Sequence, residues 1–467
     1  MGKVPDELSK LRSWPSFREY HKGCRNFPDQ LERFLRATMD EVRTSTSNKV
    51  VRSILHIIEM SDFGLFRKSV LRRELSGVIA YPKQRDHSSH TLYNYLLGWY
   101  FFRHSTALKG PLDKHFQLRG VGAGASPFAD RTEFFGNVWQ YVSLLHDIGY
   151  MFEGGLPSLG FRESVEQAAI GVQTAHDYFH RQIWIDCGFD VPELRESLFS
   201  LLGDPIRPPA FNQCNSLGEI AAELQYVGDL TVLSDPIAKG LDTLAVPSTR
   251  RPRFDEFSCD AFELWAHHYD RFGNPRMSRR TKSMRNIFHG LIDEGLPRLD
   301  LRLLDHGVCS GLLLLVASTY YYRIYASAHQ HSPVSPLGQR FLGSGTINPA
   351  FWWTGIVWAT AATAIHNVQQ MSDLEKIDAD WPGPLMLDDD PLAYLGILVD
   401  IVQEWDRYSV RKVLDGEPVQ GNEVELLPKA GVVVVRFLGA DGKGRANKVE
   451  KDLNNALANW EKLIHLS

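Results

Sequence analysis

Over most of its length the chain repeats apolar residues at intervals of three and four, as in VVRSILHIIEM (50 to 60), TLYNYLLGWYFF (91 to 102), FFGNVWQYVSLLHDIGY (134 to 150) and PLAYLGILVDIVQEW (391 to 405). That period belongs to the face of an α-helix rather than to a strand, so a mainly α fold is expected. Only the C-terminus departs from it. There NEVELLP and GVVVVRFLGADGKG read as β-branched strands with a turn, and a last helix is expected from about 446 to 465, giving a small α+β appendage.

The chain is long enough to bury a large core: it has 467 residues, 43% of them hydrophobic and 23% charged. No long Pro, Ser or Gly linker divides it, so one elaborated domain is expected. A formal net charge of -5 argues against a protein built to coat nucleic acid and favours a small partner, with a homo-oligomer allowed. The five cysteines show no CxxC pair and the N-terminus lacks an apolar signal segment, which together predict a cytoplasmic protein. Two apolar stretches resemble membrane spans. SGLLLLVASTYYY (310 to 322) is too short, and TINPAFWWTGIVWATAATAI (346 to 365) carries Asn and Pro near its start and runs into His366, so a buried core helix and no membrane partner are expected.

Ionisable residues inside such runs are informative, because an unpaired carboxylate in apolar surroundings costs several kcal/mol unless a cation or hydrogen bonds compensate it. His146 and Asp147 end one apolar helix in SLLHDIGYMF. Asp400 lies in the middle of another in YLGILVDIVQEWDR, where the alternative to a metal is an ion pair with Arg407 or a neighbour. His90 begins TLYNYLLGWYFF and is preceded by Arg85, Asp86 and His87, the two histidines sharing a helical face. His306 in LLDHGVCSGLLLL and His366 in TAAIHNV fall between the dipeptide and Asp400.

The order His, His-Asp, late Asp resembles the signature of the HD superfamily of metal-dependent phosphohydrolases, and LLHDIGY is similar to its central motif. The resemblance implies that His90, His146, Asp147 and Asp400 bind the metal that activates water for attack on phosphorus. It also implies a second metal position at His306 and His366, since dinuclear branches carry two more histidines in this interval. Asp147 would then bridge the two. The segment PLAYLGILVDIVQEWDR resembles the last motif of a bacterial subgroup. The dipeptide continues Ile-Gly-Tyr, unlike the deoxynucleotide triphosphohydrolases or the GYP-containing phosphodiesterases, so neither subgroup is assigned.

On this reading residues 1–45 form an N-terminal helical arm, 46–415 an HD domain with an insertion at about 152–300, and 416–467 the C-terminal piece. Mixed imidazole and carboxylate ligands suit one or two ions of Mn, Fe, Co, Ni or Zn better than Mg. The expected substrate is a nucleotide, with phosphodiester hydrolysis slightly favoured. The alternatives are a deoxynucleoside triphosphate triphosphohydrolase and a non-catalytic nucleotide sensor that keeps the metal pocket. Arg85 and His87, with Asp147, are catalytic or substrate-contacting candidates. Arg276, Arg279, Arg280, Lys282 and Arg285, five cations without an acid, form either a solvated face or a substrate-phosphate or regulatory site. For His176 with His180, and His267 with His268, packing or an amphipathic surface is preferred over chelation. Gly120, Gly122 and Gly124 lack the spacing of a dinucleotide fingerprint and read as a loop.

Overall fold

The computed structural model describes residues 6–24, 26–37, 40–58, 67, 87–122, 130–151, 254–293, 305–308, 310–311, 314–315, 318, 351–370, 374–403, 423–439 and 441–467. Within them the protein is mainly α, as its periodicity requires. The helices are α1 (Asp6–Ser9), α2 (Pro15–Tyr20), α3 (Phe27–Arg36), α4 (Asp40–Leu55), α5 (His87–His104), α6 (Thr106–Leu118), α7 (Arg131–Leu144), α8 (Phe254–Arg271), α9 (Pro275–Asp293), α10 (Val357–Val368), α11 (Leu374–Ile377), α12 (Pro391–Val402) and α13 (Gly442–Ala456). A helical segment also begins at His306.

Helices α5, α7, α10 and α12 make the centre. α7 lies against the other three, and α12 packs on both α5 and α10. Every residue of α12 is buried, as is every residue of α7 from Phe134 to Leu144. A helix apolar on nearly all sides, such as α12, belongs in the interior of a large α protein, and in α7 the polar Asn137 and Gln140 are covered by Tyr20, whose hydroxyl donates to Asn137 and accepts from Gln140. The described part of the uncharged stretch, 351 to 365, is mostly buried as well. A π-turn at Trp352–Ile356 leads into the buried α10, and among the described residues no helix is long and apolar enough to cross a membrane.

A buried aspartate fixes where α12 starts. Asp390 caps it, one carboxylate oxygen accepting from the backbone N–H groups of Leu392 and Ala393 at 3.0 Å. The other accepts from the Tyr269 hydroxyl at 2.6 Å and the Trp358 indole at 3.0 Å. One carboxylate thus joins α8, α10 and α12, and its full complement of donors is what permits its burial.

Helices α8 and α9, from the part of the sequence expected to be an insertion, form an antiparallel pair that packs on α10. Arg280 of α9 is fully buried: its guanidinium donates to Gln369 and to the Gly383 carbonyl and sits 4.9 Å over the Trp381 ring. Arg276 pairs with Asp389 at 3.2 Å and donates to the Pro382 carbonyl at 3.1 Å. These two cations clamp the 381–389 connection that leads into α12.

The C-terminal strands form as expected. β1 (Leu385–Met386) pairs in parallel with the short β4 (Leu457–Ala458), while β2 (Glu423–Lys429) and β3 (Val432–Leu438) are antiparallel and joined by the two-residue turn Ala430-Gly431, both at positive φ, which is the geometry a tight hairpin needs. The last helix differs from expectation. It is α13, ending at Ala456 rather than near 465, and the chain reverses at Asn459 (φ 57°) to return as β5 (Ile464–Leu466), parallel to β3. Ile464 is buried in that pairing, so the apolar residues taken for a helix end serve a third strand. α13 packs on α12, and Tyr394 of α12 donates to the Ala458 carbonyl at 3.0 Å.

Candidate metal centre

Six side chains from five segments meet in the middle of the helical core. His90 comes from the first turns of α5, and His146 with Asp147 from the turn that ends α7. His306 opens its own helical segment, His366 lies near the end of α10, and Asp400 near the end of α12. All six are buried.

The backbone close to the site is shaped by missing side chains. A Cβ at Gly149 would lie 2.0 Å from the His306 carbonyl oxygen, and the Gly149 N–H donates to the Ser310 hydroxyl at 2.7 Å. A Cβ at Gly307 would meet the His366 ring at 2.8 Å, and one at Gly311 would meet Ala364 and the Thr360 carbonyl at 2.7 Å. Four residues apart on one helical face, Gly307 and Gly311 let the His306 segment lie directly on α10. Asp305 caps that segment through the Val308 N–H at 2.8 Å and accepts from Asn367 at 2.5 Å, tying the two histidine-bearing elements together.

Asp147 is the point of convergence. Its Oδ1 lies 3.3 Å from His146 Nε2, 3.6 Å from His306 Nε2 and 4.0 Å from His366 Nε2, while its Oδ2 lies 3.8 Å from His90 Nε2. Asp400 Oδ1 lies 2.8 Å from His90 Nε2 and 3.8 Å from His146 Nε2. The donor atoms form two overlapping triads, His90/His146/Asp147 and Asp147/His306/His366, and each triad's atoms lie within 4.8 Å of one another. These are the metal-compatible clusters among the described residues.

The orientation of the rings is set from behind. His146 Nδ1 bonds the Ser143 carbonyl at 2.9 Å and His366 Nδ1 bonds the Thr363 carbonyl at 2.6 Å, each three residues back on its own helix. His90 Nδ1 faces the amide oxygen of Gln403 at 2.5 Å. With Nδ1–H donating, Nε2 carries the lone pair, and in all three it is Nε2 that faces the carboxylates. Among the described residues, His146 Nε2 and His366 Nε2 are buried and find no hydrogen-bond partner. An imidazole lone pair left so in a protein interior is costly unless something accepts it, and a cation does. The cluster is therefore able to hold a metal ion.

Electrostatics divide the histidines. Burial acts to lower the pKa of His146, but the carboxylates of Asp147 and Asp400 outweigh it and hold it above the usual value. His366 is pushed down to about 3, by burial first and then by the neighbouring His146 and His306. It is thus held in the neutral, metal-binding form.

Three carboxamides at the site gave no signal in the sequence reading. Asn94 Nδ2 lies 3.1 Å from His90 Nε2, Gln370 donates to Asp400 Oδ2 at 3.1 Å, and Gln403 meets His90. Each follows a candidate ligand by three or four residues on the same helix, and an amide one turn beyond an embedded His or Asp is the pattern that would have found them.

Of the remaining candidates, Arg85, His176, His180, Gly124 and Arg407 lie outside the described residues, as does the side chain of His87. His268 is buried against Trp353, Phe272 and the Arg119 guanidinium, and His267 stands beside Trp353, so this pair converges on aromatic packing. In the basic run Arg276 and Arg280 hold the 381–389 connection, whereas Arg279 and Lys282 are exposed. Compared with known proteins, the chain matches no family model, no curated sequence and no solved structure.

Proposed function

We propose that the chain is a metal-dependent phosphohydrolase of the HD type that cleaves a phosphate ester or anhydride of a nucleotide. The observation that carries this reading is the convergence of His90, His146, Asp147, His306, His366 and Asp400, in the His, His-Asp, His, His, Asp order, on one buried point. Residues scattered over roughly 300 positions have no reason of packing alone to bring four imidazoles and two carboxylates together.

His90, His146, Asp147 and Asp400 would hold one cation, and His306 and His366 a second, with Asp147 common to both. Bound divalent cations supply the activation of water and the polarisation of a phosphoryl oxygen that hydrolysis at phosphorus needs. The chain's own part is to fix the rings of His146 and His366 through the carbonyls of Ser143 and Thr363, with Nε2 toward the carboxylates, and to surround the cluster with protein so that charge interactions are little screened. Mixed nitrogen and oxygen donors favour Mn, Fe, Co, Ni or Zn over Mg. Two triads sharing one carboxylate favour a phosphodiester, since two cations can clamp attacking and leaving oxygens together.

A screen of cyclic and linear nucleotides and dNTPs against the Mn²⁺-loaded protein, with product analysis, tests the reading. Nucleoside monophosphates from a diester are the expected result. Inorganic triphosphate would identify a deoxynucleoside triphosphatase instead, and nucleotide binding without turnover at any metal would mark a sensor.

A further inference from the structure

Gln403 is fully buried and forms the C-terminal cap of α12, three residues beyond Asp400. Its side chain reaches across to α5, where its amide oxygen faces His90 Nδ1, while its amide nitrogen is buried and has no partner among the described residues. A glutamine kept only for packing or capping has no need to leave two donors unsatisfied in the interior. Of its side-chain polar atoms, the oxygen toward His90 is the one in use among the described residues.

His90 differs in this from His146 and His366, whose Nδ1 atoms are held by carbonyls of their own helices. At the start of α5 His90 meets a side chain from another helix instead. The same helix, α12, therefore carries both the carboxylate facing His90 Nε2 and the acceptor behind Nδ1.

We infer that Gln403 is a positioning residue of the metal centre: by accepting the Nδ1–H of His90 it fixes the tautomer and ring angle that turn Nε2 toward Asp147 and Asp400. The inference rests on the metal reading of the cluster and names a determinant of its affinity. The group is required as an acceptor and not for its volume.

Two substitutions separate these. Gln403→Met keeps the length and the apolar stem but accepts no comparable hydrogen bond, and Gln403→Glu keeps an oxygen acceptor toward His90 while replacing the amide nitrogen with a second oxygen and adding a negative charge that favours a proton on Nδ1. Titrating the metal-free proteins with Co²⁺ and following its visible absorption gives affinity without reference to activity. Gln403→Met is expected to bind about 10- to 100-fold more weakly, with Gln403→Glu close to the wild type or tighter. In the metal-free wild type, the ¹⁵N shifts of His90 should report a proton on Nδ1. Equal affinity of the Met variant and the wild type overturns the inference, and so does an equal loss in both variants, which would mark a packing role. If the Met variant does not fold, the Glu variant decides, a tenfold loss counting against the inference. A wild type that takes up no Co²⁺ removes the metal reading itself, an outcome distinct from either.

Discussion

At the scale of single residues the second triad separates a ligand from a structural histidine. His366 is neutral, buried and aimed by Nε2 at Asp147. His366→Ala should lower bound metal from two toward one per chain and leave the His90 side of the cluster occupied. A histidine present only for its hydrogen bond to Thr363 would instead lower the melting temperature by the equivalent of about 1–3 kcal/mol with metal per chain unchanged. Far from the centre, His21 makes a different prediction. Its ring stacks on Phe27 at 4.2 Å, bonds the Phe17 carbonyl and the Tyr95 hydroxyl, and is pushed by burial down to about 3. The unfolded chain takes up that proton near pH 6.5 and the folded one does not, so the stability His21 confers is intact above 6.5 and declines as pH falls toward 3. Between pH 6.5 and 5 the loss is about 2 kcal/mol. Denaturant melts of His21→Phe should show a shallower decline than the wild type over that window, and parallel curves would refute it.

At the scale of elements the centre depends on helices approaching more closely than ordinary side chains allow. Gly149→Ala would place a methyl 2.0 Å from the His306 carbonyl, so either the turn after Asp147 or the His306 segment must move. Overpacking of this kind costs about 1–3 kcal/mol. The expected result is a lower melting temperature together with loss of metal, whereas a substitution that lowered stability and left metal binding intact would show that the turn does not set the site. The helices themselves were legible, because α5, α7, α10 and α12 are apolar enough to announce both their period and their burial. Asp147 and Asp400 were legible for the same reason, each a carboxylate in a run that leaves no solvent face. What hid was whatever depends on a partner far away in sequence. Arg280 looks like one cation in a basic run until Gln369, Gly383 and Trp381 close over it. Gln403 and Gln370 are unremarkable helix-end residues until α12 lies beside α5 and α10. The end of α13 was misjudged because Ile464 and Leu466 suit a helix as well as a strand, and only β3 beside them decides.

At the scale of the whole molecule, helices from the two ends of the described core are held together at one charged point. Two carboxylates and four imidazoles sit where a mainly apolar protein would otherwise place leucine, a cluster able to hold a metal ion, and on the proposed reading a divalent cation would offset the cost of burying it. Ligand binding to the folded state alone raises its stability by mass action, so metal content and thermal stability should move together. The most direct test is metal analysis of the purified wild type beside Asp147→Ala, after equal exposure to Mn²⁺, Co²⁺ and Zn²⁺, with circular dichroism to verify that both are folded. Stoichiometric metal is expected in the wild type, with a melting temperature that falls on chelation, and neither property in the folded variant. Full metal content in Asp147→Ala, or none in the wild type under any loading, would contradict the metal reading.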